Sequence, residues 1–163
     1  MPTAADVQFR QAEPGDAADV LALKQAAIES ADETYSDTQV EAWRPTEDAL
    51  PVFEQAMDSD QFVVLLAETA GELAGYAVLN VAERRIDAVF VDPEYAGQGL
   101  GSSLVGQLET RARMLGLSEL HVVSSLNARA FYESLGYEEV ESRTRTIEGV
   151  DLDFIAVQKE LEE

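Results

Sequence analysis

The stretch VDPEYAGQGLGSSLVGQLE, residues 91–109, joins a β-like run to a helical pattern through three alternating glycines, Gly97, Gly99 and Gly101. The preceding run, RRIDAVFVDP, has the pattern of a strand that Pro93 ends. After the glycines, apolar residues recur at the spacing of one helix face: Leu104, Leu108, Ala112 and Leu115. A glycine turn that opens a helix leaves the first-turn N–H groups unpaired, beside the positive end of the helix dipole. The stretch therefore predicts a site for a strongly anionic group such as pyrophosphate.

Alternating and helical patterns along the rest of the chain predict an α+β domain. QFVVLLAE and ELAGYAVLNV are β-rich runs joined by Thr69-Ala70-Gly71-Glu72, which has the chemistry of a tight hairpin. RRIDAVFVDP continues them as a third strand, SELHVVSS predicts another, and residues 138–161 predict a final hairpin. Helical spacing occurs in four further segments, residues 13–30, 33–43, 47–57 and 127–135. This order favours a mixed, mostly antiparallel central sheet that is flanked by helices.

Composition limits the classes of protein to which the chain can belong. With 163 residues, 46% of them hydrophobic, it is long enough for one domain with a real core, residues 1–163. No leader-like start and no membrane-length apolar run is present, which predicts a cytoplasmic protein. The absence of cysteine excludes disulfides, thiolate nucleophiles and cysteine-based zinc sites. The single histidine, His121, alternates with apolar residues as a packed or surface residue does, and no metal site is predicted.

The charge of the chain is strongly negative, with 32 acidic residues against 11 basic ones and a net charge of −21. Such a field repels nucleic acid and anionic membranes, so neither is expected as a partner. We interpret the acidity as a surface adapted to high salt, where a Debye length of about 3 Å at 1 M screens self-repulsion. The alternative interpretation is an acidic face that attracts a cationic substrate.

Three phosphate-binding patterns compete for the glycine loop. A P-loop ends in Gly-Lys-Ser/Thr, whereas this loop has Gly-Ser-Ser and no lysine nearby. A dinucleotide-binding fingerprint requires a glycine at the position of Leu104, and its acid, Glu119, opens a strand instead of ending it. Neither pattern fits.

The third pattern fits, because two segments of the chain resemble the GNAT superfamily, the GCN5-related N-acetyltransferases. FVDPEYAGQGLGSSLVGQLE is similar to the family's strand–loop–helix that binds acetyl-coenzyme A, and NARAFYESLGYEE is similar to its following Asn-x-x-Ala-x-x-Phe-Tyr segment. The two lie at the family's usual separation, and the order of elements also matches. The resemblance covers nearly the whole chain and implies a GNAT-like fold with helices on both faces of the sheet.

The resemblance implies a site for acetyl-coenzyme A as a co-substrate, without a metal. Its backbone and side-chain contacts carry over to these positions: Phe90, Val91, Ala96, Gly97, Gln98, Gly99, Leu100, Gly101, Ser102, Ser103, Asn127 and Tyr132. Ala96 departs from the Arg or Gln that commonly begins the family's loop. Since the family grips pyrophosphate mainly through backbone N–H groups, we expect binding to survive this change. Asn127 also suits a helix N-cap.

The same resemblance supplies candidate catalytic and acceptor-binding residues. Tyr132 matches the position whose hydroxyl can donate a proton to the coenzyme sulfur; the other interpretation is that it only packs the helix on the sheet, as Phe131 does. The base that deprotonates the amine is Glu83, Asp87 or water. TYSDTQVEAW is similar to an element beside the family's acceptor pocket. It makes Tyr35 and Trp43 candidates for lining that pocket or, alternatively, for the core.

We therefore predict an N-acetyltransferase that moves the acetyl group of acetyl-coenzyme A to a primary amine by direct attack in a ternary complex. No cysteine is available to carry an acetyl-enzyme intermediate. The alternative is a non-catalytic acyl-coenzyme A sensor or interaction module on the same fold. The identity of the small-molecule or peptide acceptor, the length of the acyl group and the formation of a homodimer stay open.

Overall fold

The computed structural model describes residues 7–29, 49–95, 99–125, 128–147 and 149–161. In chain order the elements are β1 Val7–Gln11, α1 Ala17–Glu29, α2 Leu50–Met57, β2 Phe62–Thr69, β3 Glu72–Asn80, β4 Arg85–Val91, α3 Leu100–Met114, β5 Glu119–Ser125, α4 Arg129–Ser134, β6 Glu138–Ile147 and β7 Val150–Glu160. Short 3₁₀ turns precede α1 and follow β4. The helix predicted for residues 33–43 lies outside the described residues.

The described strands form one sheet in the order β1-β2-β3-β4-β5-β7-β6. Every neighbouring pair is antiparallel except β4 and β5, which are parallel. This confirms the predicted α+β fold with a mixed, mostly antiparallel sheet. The hairpin between β2 and β3 is confirmed as well, because Ala70 and Gly71 take φ of 53° and 80°, as a two-residue hairpin turn requires.

Side chains of β2 show how the helices are divided between the two faces of the sheet. Val63 and Leu65 are buried with α3, while Val64 and Leu66 are buried with α1 and α2. Successive side chains of a strand point to opposite faces, so α1 and α2 cover one face and α3 and α4 cover the other. We call these the α1/α2 face and the α3/α4 face.

The apolar stripe of α3 agrees with its predicted helical spacing except at its last position. Leu104, Leu108 and Ala112 are fully buried against the sheet. Leu115 is 52% exposed, which corrects its assignment to the stripe. The helix ends at Met114, one residue before Leu115. Gly116, two residues after the helix, has φ of 85°, the left-handed conformation that favours glycine after a helix.

Candidate active site

The sheet opens between its two parallel strands, β4 and β5. They pair only at Arg85 with His121 and at Ile86 with Val122. Beyond Ile86, β4 continues alongside β3 as far as Val91, and β5 continues alongside β7. The two strands therefore separate in a V, and a cavity of about 150 Å³ lies at the opening, which we call the cleft. The predicted separation of the backbone at Phe90 and Val91 from the neighbouring strand is present.

The start of α3 lies beside the open end of β4. Gly99 precedes the helix with φ of 80°, and the N–H of Ser103 donates to its carbonyl at 3.1 Å. Leu100, Gly101 and Ser102 lie ahead of that first helical bond, so their N–H groups have no partner within the helix. These groups form a positive helix end next to Val91, whose Cγ2 would lie 3.8 Å from a Cβ at Gly101.

Gly101 packs closely against α4. A Cβ at this position would meet the ring of Phe131 at 3.1 Å, so the absence of a side chain lets α4 approach the start of α3. This confirms Phe131 as a packing residue and adds a structural reason for a glycine that the sequence associates with a ligand. Its backbone N–H still belongs to the first turn.

Tyr132 lines the cleft from α4 and is 4% exposed. Its ring packs edge-on against Phe131 and Tyr137, with ring centroids 5.0 and 5.7 Å apart. Burial raises the pKa of the Tyr132 hydroxyl, because the phenolate would lose its hydration. The phenol therefore keeps its proton at neutral pH.

The two candidate bases occupy different places. Asp87 lines the cleft, and its carboxylate accepts a hydrogen bond from Nε of Arg85. Glu83 lies in the turn before β4 and lines a neighbouring hollow together with His121. His121 itself is 41% exposed at its side chain, near the carboxylate of Glu119. The structure brings Asp87, but not Glu83, to the cleft.

Six predicted site residues lie outside the described residues: Tyr35, Trp43, Ala96, Gly97, Gln98 and Asn127. The remaining predicted positions of the donor site, Phe90, Val91, Tyr132 and residues 99–103, surround the opening of the sheet and the adjoining start of α3.

Lys24 is a site residue that the sequence analysis missed. It lines the cleft from α1, with Nζ 5.5 Å from the ring centroid of Phe53 and 5.6 Å from that of Phe90. Burial lowers the pKa of Lys24, and the negative charge of Asp87 partly offsets that shift. One signal was available in the sequence, since Lys24 stands four residues after Val20 on the apolar side of a helix.

A second cavity, of about 220 Å³, adjoins the cleft on the α1/α2 face. Lys24, Asp87 and Ala88 line both cavities, and we call these three residues the seam. Tyr76, also missed in the sequence, lines the second cavity from β3. The described residues contain no group of three or more His, Cys, Asp or Glu side chains placed to hold a metal ion. Within the same residues, no helix has both the length and the apolar character needed to cross a bilayer.

Comparison with known proteins places the chain in a family. The model of the acetyltransferase (GNAT) domain matches residues 31–159. The uncharacterized N-acetyltransferase YafP of Escherichia coli is 28% identical over 139 residues, which cover 85% of each chain. The crystal structure of the GCN5-related N-acetyltransferase "Aminotransferase, Class-II" from Rhodopseudomonas palustris is 31% identical, covers 99% of each chain and superposes with a TM-score of 0.89.

A more distant structure shares the fold. The PaiA N-acetyltransferase of Thermoplasma acidophilum, solved in complex with coenzyme A, is 17% identical with a TM-score of 0.77 over 94% of this chain and 98% of that one. The fold and the cleft define a GNAT acetyltransferase. The chain belongs to the acetyltransferase (GNAT) domain family, as its resemblance in two segments predicts.

Proposed function

We propose that the protein transfers the acetyl group of acetyl-coenzyme A to a primary amine, in a ternary complex and without an acetyl-enzyme intermediate. The observation that carries the proposal is the opening of the sheet between β4 and β5, with the start of α3 beside it and Tyr132 among the residues that line it. Family membership supports acyl transfer in general, and this arrangement supports the particular roles below.

The donor site combines the helix end with the open strand. The first-turn N–H groups of Leu100, Gly101 and Ser102, with the hydroxyls of Ser102 and Ser103, suit the pyrophosphate of the donor. The backbone of Phe90 and Val91, which runs along the opening, suits the amides of its pantetheine arm and its thioester oxygen. Ala96, Gly97, Gln98 and Asn127 stay predicted contacts.

The reaction has two proton transfers for which the cleft offers groups. The amine nitrogen attacks the thioester carbonyl carbon, a C–N bond forms, and the C–S bond breaks with its electron pair on sulfur. Tyr132 donates its phenolic proton to that thiolate. Asp87, directly or through water, accepts the proton that the amine loses; Glu83 is disfavoured for this role by its place in the neighbouring hollow.

The remaining properties proposed for the protein concern its context. We expect the whole chain, residues 1–163, to act as one domain in the cytoplasm, on an amine acceptor, without binding nucleic acid or membranes. The net charge of −21 supports the exclusion of nucleic acid and anionic membranes, and a surface adapted to high salt. Whether two copies form a homodimer stays open.

The proposal is tested with purified protein in 2 M KCl. Isothermal titration is expected to show acetyl-coenzyme A binding, and a thiol-release assay with pooled amines is expected to show an acceptor-dependent rate. Absence of binding would refute the proposal. Binding without thiol release from any amine pool would instead favour the non-catalytic acyl-coenzyme A sensor.

A further inference from the structure

The second cavity has the apolar lining of a small-molecule site and room for a compact group. Its volume of about 220 Å³ lies below the roughly 300 Å³ at which sites for drug-sized ligands begin. Its walls come from α1, α2 and the sheet and are mostly apolar, including Val20, Phe53, Met57, Val64 and Val78. A compact apolar body fits this space, and a group attached to that body at the seam would face the cleft.

Tyr76, which lines this cavity, carries a buried hydroxyl without a hydrogen-bond partner among the described residues. The residue is 2% exposed, and its hydroxyl is buried with no hydrogen-bond partner in the part of the chain that the structure describes. Its ring stacks on Phe90 at a centroid distance of 5.7 Å. A buried hydroxyl without a hydrogen bond is unfavourable, and an apolar ligand side chain in this cavity would contact the Tyr76 ring and leave the hydroxyl as it is.

Lys24 places a cation at the seam under similar conditions. The Lys24 ammonium lies over the rings of Phe53 and Phe90. It makes no hydrogen bond and no ion pair with any of the described residues. Asp87, at the same seam, offsets the lost hydration of this ammonium group only in part, because no ion pair joins the two side chains directly. A cation that has no ion pair among the described residues, at the edge of a cavity, suits an anionic group on the ligand.

Asp87 supplies the opposite charge at the same seam. An incoming ammonium alone would be attracted by Asp87 and repelled by Lys24, whereas a molecule that carries both an ammonium and a carboxylate matches both side chains. We infer that the acceptor is a small α-amino acid with an apolar or aromatic side chain. In this arrangement Lys24 binds its carboxylate, its amine lies at Asp87 facing the cleft, and its side chain fills the cavity beside Tyr76. The inference rests on the acetyl transfer proposed above.

The test compares L-phenylalanine with phenethylamine, which has the same ring and amine and lacks the carboxylate. kcat/KM for acetylation is measured for both in the wild type and in Lys24→Met, which keeps the length of the side chain and removes its charge. The ratio of kcat/KM for L-phenylalanine to kcat/KM for phenethylamine is expected to be lower in the variant than in the wild type, on the order of 10- to 100-fold. This is the size of the contribution of a hydrogen bond to a charged group. Arg84→Met, which removes an exposed cation outside both cavities, is expected to leave the ratio unchanged.

A second measurement on the wild type covers the case in which Lys24→Met does not fold. Calorimetry in the presence of coenzyme A is expected to show N-acetyl-L-phenylalanine binding at least tenfold more tightly than N-acetylphenethylamine. Equal affinity would overturn the inference, as would an equal loss of both activities in Lys24→Met, which indicates a structural role. Thiol release with polyamines or peptides but with no apolar amino acid would overturn the acceptor class alone. Absence of release with any amine would overturn the proposed function with it.

Discussion

The two faces of the sheet differ in the hydrogen bonding of their buried polar side chains. On the α3/α4 face, Tyr137 donates its hydroxyl proton to Glu109 at 2.9 Å, and Lys159 Nζ lies 3.1 Å from the same carboxylate. On the α1/α2 face, the Tyr76 hydroxyl has no hydrogen-bond partner among the described residues, and the Lys24 ammonium lies over the rings of Phe53 and Phe90, with Asp87 at the same seam. The α3/α4 face therefore bonds these buried polar groups to one another, while the described part of the α1/α2 face has a hydroxyl and an ammonium without such bonds.

This difference separates residues that stabilise the fold from residues that serve the reaction. Substitutions in the Glu109 cluster are expected to change the free energy of unfolding and to leave specificity intact. Substitutions at Tyr76 and Lys24 on the α1/α2 face, and at Tyr132, which lines the cleft from the α3/α4 face, are expected to change rates and acceptor choice more than folding.

The largest effect is expected from Glu109→Ala. Glu109 is 7% exposed and bonds to Tyr137 and Lys159, so its removal leaves a mostly buried ammonium and a hydroxyl without their partner. The free energy of unfolding, from urea titration in molar KCl, should fall by about 3 kcal/mol. Glu133→Ala is the control, since the Glu133–Arg129 pair is half exposed and should contribute less than about 1 kcal/mol. Equal losses in the two variants would show that the buried pair does not hold this face together.

Tyr132→Phe is expected to lower kcat about 100-fold, corresponding to about 2.7 kcal/mol of barrier. The ring and its packing on Phe131 are kept, so the dissociation constant of acetyl-coenzyme A should stay within about threefold. The matched control is Tyr137→Phe, which removes a hydroxyl from the neighbouring ring and should leave kcat nearly unchanged. An unchanged kcat in Tyr132→Phe would mean that another group protonates the leaving thiolate.

Much of the fold follows from patterns that are local in sequence. The alternation in β2 and β3 and the turn at Ala70-Gly71 predict the hairpin, because a period of two and a positive φ are properties of a few adjacent residues. The reason for Gly101 lies 30 residues away in the ring of Phe131, a contact that no local pattern contains. Leu115 continues the apolar spacing of α3 but lies beyond its last turn, where that spacing no longer decides burial.

The candidate site is divided in the same way. The donor side can be predicted from the sequence because the glycine loop and the segment around Tyr132 are short, continuous motifs. The acceptor side could not be predicted from the sequence. The interest of Tyr76 and Lys24 lies in their tertiary surroundings, which no local sequence pattern contains. Asp87 and Glu83 look equivalent in sequence, yet only Asp87 follows Arg85 and Ile86 into the cleft.

Salt is expected to act on the donor side through long-range charge. Acetyl-coenzyme A is a polyanion and the chain carries −21, so the KM for this donor should fall on the order of tenfold between 0.1 and 1 M KCl. The uncharged thioester S-acetyl-N-acetylcysteamine is the matched control, and its KM should stay nearly constant. A parallel fall for both donors would assign the effect to folding of the protein, and a rise for acetyl-coenzyme A would contradict the role of the acidic surface.

The smallest effects give the most direct test of the contrast between the faces. Two equivalent Tyr→Phe substitutions, one on each face, should change the free energy of unfolding in opposite directions. Tyr137→Phe removes a hydrogen bond to Glu109 and should lower the free energy of unfolding by about 1 kcal/mol. Tyr76→Phe removes a buried hydroxyl without a partner and should raise the free energy of unfolding by up to about 1 kcal/mol in the absence of acceptor. Both are measured by urea titration in molar KCl. If Tyr76→Phe is destabilising to the same extent as Tyr137→Phe, the Tyr76 hydroxyl is already satisfied, for instance by an ordered water, and the α1/α2 face is as complete as its opposite.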